Sequence, residues 1–358
     1  MVHTTAVHSY QGGHVVGVGL LGSGFIGQTY ADALRDVPDA ELLASYSRSR
    51  QRAAGFARRW GPVPAQYHRI ADLCADPAVD LVVVALPNEV HLEAVRAAAA
   101  AGKGVVCTKP LARTGAEAAE ILRIVTEAGV WHGYAESAVF SPNLVTAHEI
   151  AAAGGIGEVV WMRAREGHSG PHADHFWDAA TAGGGALLDM GCHTVESARL
   201  FFGKGNPVVE VFAWGATMVH TDRTTGEDTA IALLKFAGGQ LASIESSWVE
   251  KGGMQLRHEI VGSAGRLVTD TASTPVWGFI SHPVGQLVEK ADAETGWVHP
   301  VPEETRAYGF SQQMRHFVET FARGEPPSET FHDGWVVNCI LDACYRSMAS
   351  GRWEPVRT

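Results

Sequence analysis

The sequence is poor in the features that mark specialised protein classes. Its five cysteines (Cys74, Cys107, Cys192, Cys339 and Cys344) are odd in number and form no CxxC pair. That argues against a disulfide framework or thiolate metal centre, and for reduced thiols in a cytoplasmic protein. No run of five to eight Lys/Arg residues occurs, and the net charge of −11 is spread along the chain. Neither nucleic acid nor an anionic membrane is therefore expected as a partner. The longest apolar run, Leu81 to Leu86, falls far short of the roughly 20 residues that span a bilayer. The N-terminal MVHTTAVHSYQGG has neither a basic start nor an apolar stretch, and reads as a loose tail rather than a signal peptide.

What is present fits a soluble globular protein, with 46% hydrophobic and 19% charged residues. A length of 358 residues exceeds what one core usually supports, so two domains are expected. Their boundaries read as a tail over 1–13, a first domain over 14–135 and a second over 136–358, with C-terminal helices free to pack back on the first. Strand patterns at Val15–Leu21, Glu41–Tyr46, Asp80–Leu86, Gly104–Cys107 and Trp131–Ala135 alternate with helix patterns near 26–36, 49–60, 90–101 and 114–128. That alternation predicts an α/β domain with a parallel sheet, which binds ligands beyond the carboxyl ends of its strands. Beyond residue 155 the patterns become strand-rich: Glu158–Arg165, Val208–Met218, Thr229–Phe236, Gln240–Val249 and Gln255–Val261. An α+β domain on a mostly antiparallel sheet follows. One helix over the segment 183–203 and two more near 306–323 and 333–350 complete the expectation.

The turn after the first strand is Gly22-Ser23-Gly24-Phe25-Ile26-Gly27. A GxGxxG between strand and helix gives a tight turn, a close approach for a pyrophosphate and tight helix–strand packing, which points to a dinucleotide. The second strand ends in Tyr46-Ser47-Arg48-Ser49-Arg50 where an NAD-binding protein would place an acid; Glu41 stands at the wrong end of the strand. A hydroxyl and a guanidinium, Ser47 and Arg48, suit a 2′-phosphate. The reading favours NADP, with NAD as the alternative. Leu86-Pro87-Asn88-Glu89-Val90-His91 and Thr108-Lys109-Pro110 follow two further strands, so Leu86, Pro87, Asn88, His91, Thr108, Lys109 and Pro110 belong at the same sheet edge. A lysine beside a nicotinamide would hold a substrate hydroxyl and ease its ionisation. On the helix that follows Gly183-Gly184-Gly185, Asp189 and His193 stand four residues apart on one face. That pairing suits proton transfer near neutral pH.

Four pieces in order, GSGFIG, LPNEVH, TKP and GGGALLDMGCH, resemble the Gfo/Idh/MocA family of dehydrogenases over about residues 14–350. The resemblance implies a Rossmann domain, a C-terminal domain on an open and mostly antiparallel sheet, and a nicotinamide site between them. It also implies homodimers or homotetramers formed through that sheet. Lys109 matches the lysine of the family's Glu-Lys-Pro motif, and Asp189 and His193 match its acid and histidine. Thr108 departs from the family's glutamate, and Gly133-Tyr134-Ala135-Glu136-Ser137 departs from its arginine-containing version, which suggests Glu136 as a substrate-facing group. His172, His175 and Trp177, in the loop from Glu166 to Asp178, are candidate polyol-binding residues, with a metal site or a solvated loop as the other readings; no metal is assigned. The expected activity is hydride transfer at a hydroxyl of a sugar, cyclitol or glycoside, with His193 as general base. A glycosidase working by transient oxidation, and a non-catalytic cofactor-binding regulator, are the alternatives.

Overall fold

The computed structural model describes residues 15–61, 63–271, 278–282, 295–298 and 300–358. The expected tail over 1–13 lies outside them. Two compact units form. The first runs to Ala112, resumes over Ala116–Ala135 and includes Phe310–Trp335; the second takes Arg113–Gly115, Glu136–Gly309 and Val336–Thr358.

The first unit alternates strands and helices: β1 (Val16–Leu21), α1 (Phe25–Leu34), β2 (Ala40–Tyr46), α2 (Arg50–Trp60), β3 (Ala65–Tyr67), α3 (Ile70–Cys74), β4 (Leu81–Val84), α4 (His91–Ala100), β5 (Gly104–Thr108), α5 (Gly115–Ala128) and β6 (His132–Ala135). Its sheet has the order β3-β2-β1-β4-β5-β6 and is parallel throughout. Every residue of β1 and β4 is buried, as expected of central strands covered on both faces. The order reverses between β1 and β4, which places the turn after β1 at the switch point where such sheets bind ligands.

The second unit begins with α6 (Pro142–Ala152), β7 (Val159–Gly167), α7 (Ala179–Ala182) and α8 (Ala186–Phe202). Five more strands follow: β8 (Val208–Ala216), β9 (Thr229–Phe236), β10 (Leu241–Ser247), β11 (Gln255–Gly262) and β12 (Gly265–Asp270). A short hairpin, β13 (Gly278–Ile280) with β14 (Gly296–Val298), and α9 (Glu304–Ala307) come next. α10 (Phe310–Arg323) belongs to the first unit and packs on α1, where Tyr30 meets Phe310 edge to face at 5.9 Å. α11 (Phe331–Ser350) gives its first turn to the first unit and the rest to the second; β15 (Glu354–Pro355) ends the chain.

The large sheet has the order β12-β11-β7-β10-β9-β8-β15, and only its β7–β10 pair is parallel. Strand alternation divides its residues between two faces. The inner face carries Met162, Ala164, Ala232, Leu234, Ala242, Ile244 and Ile260, all buried in one core with Leu188, Val195, Ile340 and Leu341 of α8 and α11. Towards the ends of β7, β10 and β11 the inward positions turn polar, at Glu166, Ser246 and His258, all buried. That polar patch marks the site.

Candidate active site

The first unit carries the nucleotide end. Gly22 has φ +129°, and a Cβ there would lie 2.1 Å from the Ala85 carbonyl oxygen; one at Gly27 would lie 2.3 Å from the Gly22 carbonyl oxygen. These two glycines let the turn and helix close on the sheet. Gly24 differs: a Cβ there would meet nothing within 4 Å. It is the N-cap of α1, with no side-chain cap, so the first-turn N–H groups open onto space a pyrophosphate can fill. The residues therefore fit a dinucleotide. Phe25 is half-exposed and Ile26 partly so. Ser23 Oγ donates to Ser47 Oγ at 2.9 Å, tying the turn to the end of β2. Arg48 projects into solvent just beyond, while Ser49 caps α2 through the Arg52 N–H at 3.3 Å, and Arg50 starts that helix.

After β4, Leu86 and Pro87 lead into a turn in which Asn88 is buried. His91 is fully enclosed, its Nε2 2.9 Å from the Leu86 carbonyl and its Nδ1 3.2 Å from the Leu111 carbonyl. It ties together the loops after β4 and β5. Thr108 is buried with its Oγ1 accepting from Tyr30 Oη at 3.0 Å. Lys109, partly exposed, is joined to Pro110 by a cis peptide.

The second unit carries the acid–histidine cluster. α8 lies over β10 and β7, and its spacing directs Asp189 and His193 onto the polar end of the inner face. His193 Nδ1 meets Glu136 Oε1, and its Nε2 lies 4.0 Å from Glu166 Oε1. Asp189 Oδ2 accepts from Trp248 Nε1 at 3.1 Å and lies 3.8 Å from His168 Nε2. The Gly170 N–H donates to His168 Nδ1 at 3.0 Å, so a neutral His168 carries its proton on the nitrogen that faces Asp189. Glu136 is 0% exposed. Its carboxylate is turned to the His193 imidazole. Glu196, on the same stretch of α8, pairs with Arg199 and with Lys204 at 3.2 Å.

The glycine run is explained by protein contacts. Cβ atoms would sit 2.6 Å from the Arg113 Cα at Gly183, 2.0 Å from the Tyr345 hydroxyl at Gly184 and 2.0 Å from the Glu227 carbonyl oxygen at Gly185. Glu227 caps α8: its carbonyl accepts from the Ala186 N–H at 2.8 Å and its carboxylate from the Leu187 N–H at 2.9 Å. Burial raises the Glu227 carboxyl, and its bonds, including one from Tyr345 at 3.0 Å, oppose that.

In the His-rich loop, His172 is exposed and His175 partly buried. Trp177 is buried against Trp248 at 5.2 Å and His220 at 4.9 Å, with the Arg223 guanidinium 3.9 Å from its ring centroid. It packs with Met190 and Trp248, the tryptophan that donates to Asp189. Among the described residues, the groups able to share one ion include neither His168, His172 nor His175. Sequence reasoning missed Glu166, His168 and Trp248 as partners. The alternation Met162, Ala164, Glu166, His168 carried a signal, since its inward positions change from apolar to ionisable.

Residues 16–135 match the family described as an oxidoreductase family with an NAD-binding Rossmann fold, and residues 144–268 match the GFO/IDH/MocA C-terminal domain. The levoglucosan dehydrogenase of Pseudarthrobacter phenanthrenivorans is 28% identical over 95% of this chain and 97% of its own. The D-xylose 1-dehydrogenase (NADP(+)) 2 of Haloferax volcanii is 30% identical over 93% and 97%. The crystal structure of GenD2 from gentamicin A biosynthesis, in complex with NAD, superposes with a TM-score of 0.89 at 31% identity, covering 97% of this chain and 99% of that one. With the parallel nucleotide-binding sheet and the mostly antiparallel second sheet in place, these matches establish that the chain belongs to the Gfo/Idh/MocA family of NAD(P)-dependent oxidoreductases acting on CH–OH groups.

Proposed function

We propose that the protein is an NADP-preferring dehydrogenase of a sugar, cyclitol or glycoside hydroxyl, with His193 as the proton acceptor. The observation that carries this is the buried polar cluster of Asp189, His193, His168 and Glu166 at the end of an otherwise apolar sheet face. So many ionisable groups in one core are costly unless they serve chemistry. When bound, the nicotinamide exchanges a hydride with the substrate carbon. His193 Nε2 takes the hydroxyl proton, Asp189 holds a neighbouring substrate hydroxyl by accepting its hydrogen bond, and the Lys109 ammonium stabilises the developing alkoxide. The names of the relatives, levoglucosan and xylose dehydrogenases, support a cyclic polyol as substrate.

A panel of sugars, inositols and glycosides, followed by NAD(P)H absorbance with both cofactors, tests the reading. At least one polyol is expected to be oxidised, faster with NADP. His193→Ala is expected to lower turnover by about 10²–10⁴-fold while leaving cofactor affinity within about threefold. Turnover that survives this change would show that another group takes the proton.

The outer face of the large sheet exposes the cross-strand pair Trp214 and Ile231, together with Val268. This face supports a homo-oligomer, a dimer or tetramer. Light scattering at micromolar concentration is expected to give a multiple of the 38.2 kDa chain mass; a monomer would refute it. Among the described residues no helix is long and apolar enough to cross a membrane. The five cysteines are free and buried, which supports the reducing setting of the cytoplasm; recovery in a periplasmic fraction would refute that placement.

A further inference from the structure

We propose that Glu136 is the positioning residue for His193 and fixes which imidazole nitrogen receives the substrate proton. The inference rests on the reading of His193 as proton acceptor. Glu136 follows β6 directly and is 57 residues from His193 in sequence, yet its Oε1 meets the imidazole Nδ1. The same oxygen accepts from the Ala138 N–H at 3.0 Å, and Oε2 is buried with no hydrogen-bond partner among the described residues. A fully enclosed carboxylate with one oxygen unmatched is a poor structural element: an amide or an apolar side chain would cost less there. Such an exception calls for a role, and the imidazole supplies it.

An ionised carboxylate only accepts hydrogen bonds, so its contact requires the hydrogen on Nδ1. A neutral His193 then presents its lone pair at Nε2, the nitrogen 4.0 Å from Glu166. The remaining titratable groups around the ring are compatible with that state. His258, on β11, is held down at about 4 by burial and then by His193 itself, so it is neutral at neutral pH. Glu166 approaches from β7. On α8, Asp189 is engaged by Trp248, and the Cys192 thiol donates to the Asp189 carbonyl at 3.2 Å. Glu136 thus acts through His193, leaving Asp189 for the substrate.

The test uses the full chain saturated with whichever nicotinamide cofactor binds tighter, and the best substrate of the panel. Glu136→Gln is expected to lower kcat by about 10²–10⁴-fold, because a neutral amide no longer stabilises the imidazolium formed when Nε2 takes the proton. KM and cofactor affinity should stay within about threefold, and Glu136→Asp should recover part of the loss. With the neighbouring negative charge gone, the imidazole loses its proton more readily. The rising limb of the oxidation pH–rate profile therefore moves to lower pH in Glu136→Gln. Nitrogen NMR of ring-labelled wild-type holoenzyme should show the hydrogen on Nδ1 of His193, a readout independent of any variant's folding. An unchanged kcat and pH limb in Glu136→Gln, or the hydrogen on Nε2 in the wild type, would overturn the proposal. Activity that survives His193→Ala would instead defeat the base assignment on which it rests.

Discussion

Arg48 is a single exposed side chain just beyond β2, and the proposed preference for NADP turns on it. β2 ends at Tyr46, Ser47 is held by Ser23, and Ser49 is committed to capping α2. Arg48 therefore stands at the carboxyl end of β2, where a dinucleotide's ribose would lie in a sheet of this kind. Glu41 pairs in register with Gly17 near the opposite end of the strand and cannot serve the ribose. A charge-assisted hydrogen bond is worth about 1.5–3 kcal/mol, so Arg48→Ala is expected to weaken NADP binding by about 10–100-fold and NAD binding by less than threefold. Fluorescence titration with both cofactors measures this. Equal effects on the two would mean that the guanidinium does not read the 2′-phosphate. The type and position of this residue were legible in the sequence, because a strand end and a helix start bracket it. The same is true of Asp189 and His193, whose spacing along one helix is a local feature. Their partners were not legible in that way. Glu136 and Trp248 lie 57 and 59 residues from the groups they bind, and only the folded sheet brings them together.

At the scale of elements, long segments with a clear period were readable and short ones were not. The strands β1, β2, β5, β9 and β11 and the helices α2, α5 and α8 fall where their patterns predict them. β3 and β15, of three and two residues, are too short to show an alternation. α6 went unread although Ser141-Pro142 opens it, because its apolar residues are scattered around the helix instead of forming a stripe. The glycine run before α8 is explained only by what packs against it, which no local pattern reveals. In the fold the space beside it is taken by Arg113, Tyr345 and Glu227, which let α8 start close to its cap. Glu227 reaches that helix start from a distant loop and supplies the capping group that Gly185 lacks. The helix bearing the acid and the histidine is thus anchored at its first turn, which suits the fixed geometry that the proposed proton transfer would need.

For the whole molecule, the two units share one weakness to acid through buried imidazoles. In the first unit His132 stacks on Phe331 at 5.0 Å, accepts the Phe331 N–H at Nδ1 and is lowered to about 4 chiefly by burial. In the second, His258 is lowered to about 4, again chiefly by burial. Both imidazoles titrate near 6.5 once unfolded, so on acidification the unfolded chain takes up the proton first. Their contribution to stability is complete above about pH 6.5, declines as pH falls and levels off below about 4. At pH 5 each shift corresponds to a loss of about 2 kcal/mol. The lowered carboxyl of Asp228 acts only at more acidic pH. Glu227 and Asp342, raised by burial, act in the opposite sense and gain stability as pH falls. A difference measurement removes these shared terms. Urea unfolding of the wild type and of His258→Gln at pH 7 and pH 5 is expected to show the variant losing about 2 kcal/mol less over that interval. Equal losses would mean that His258 already carries its proton in the folded protein, and would place a positive charge beside His193.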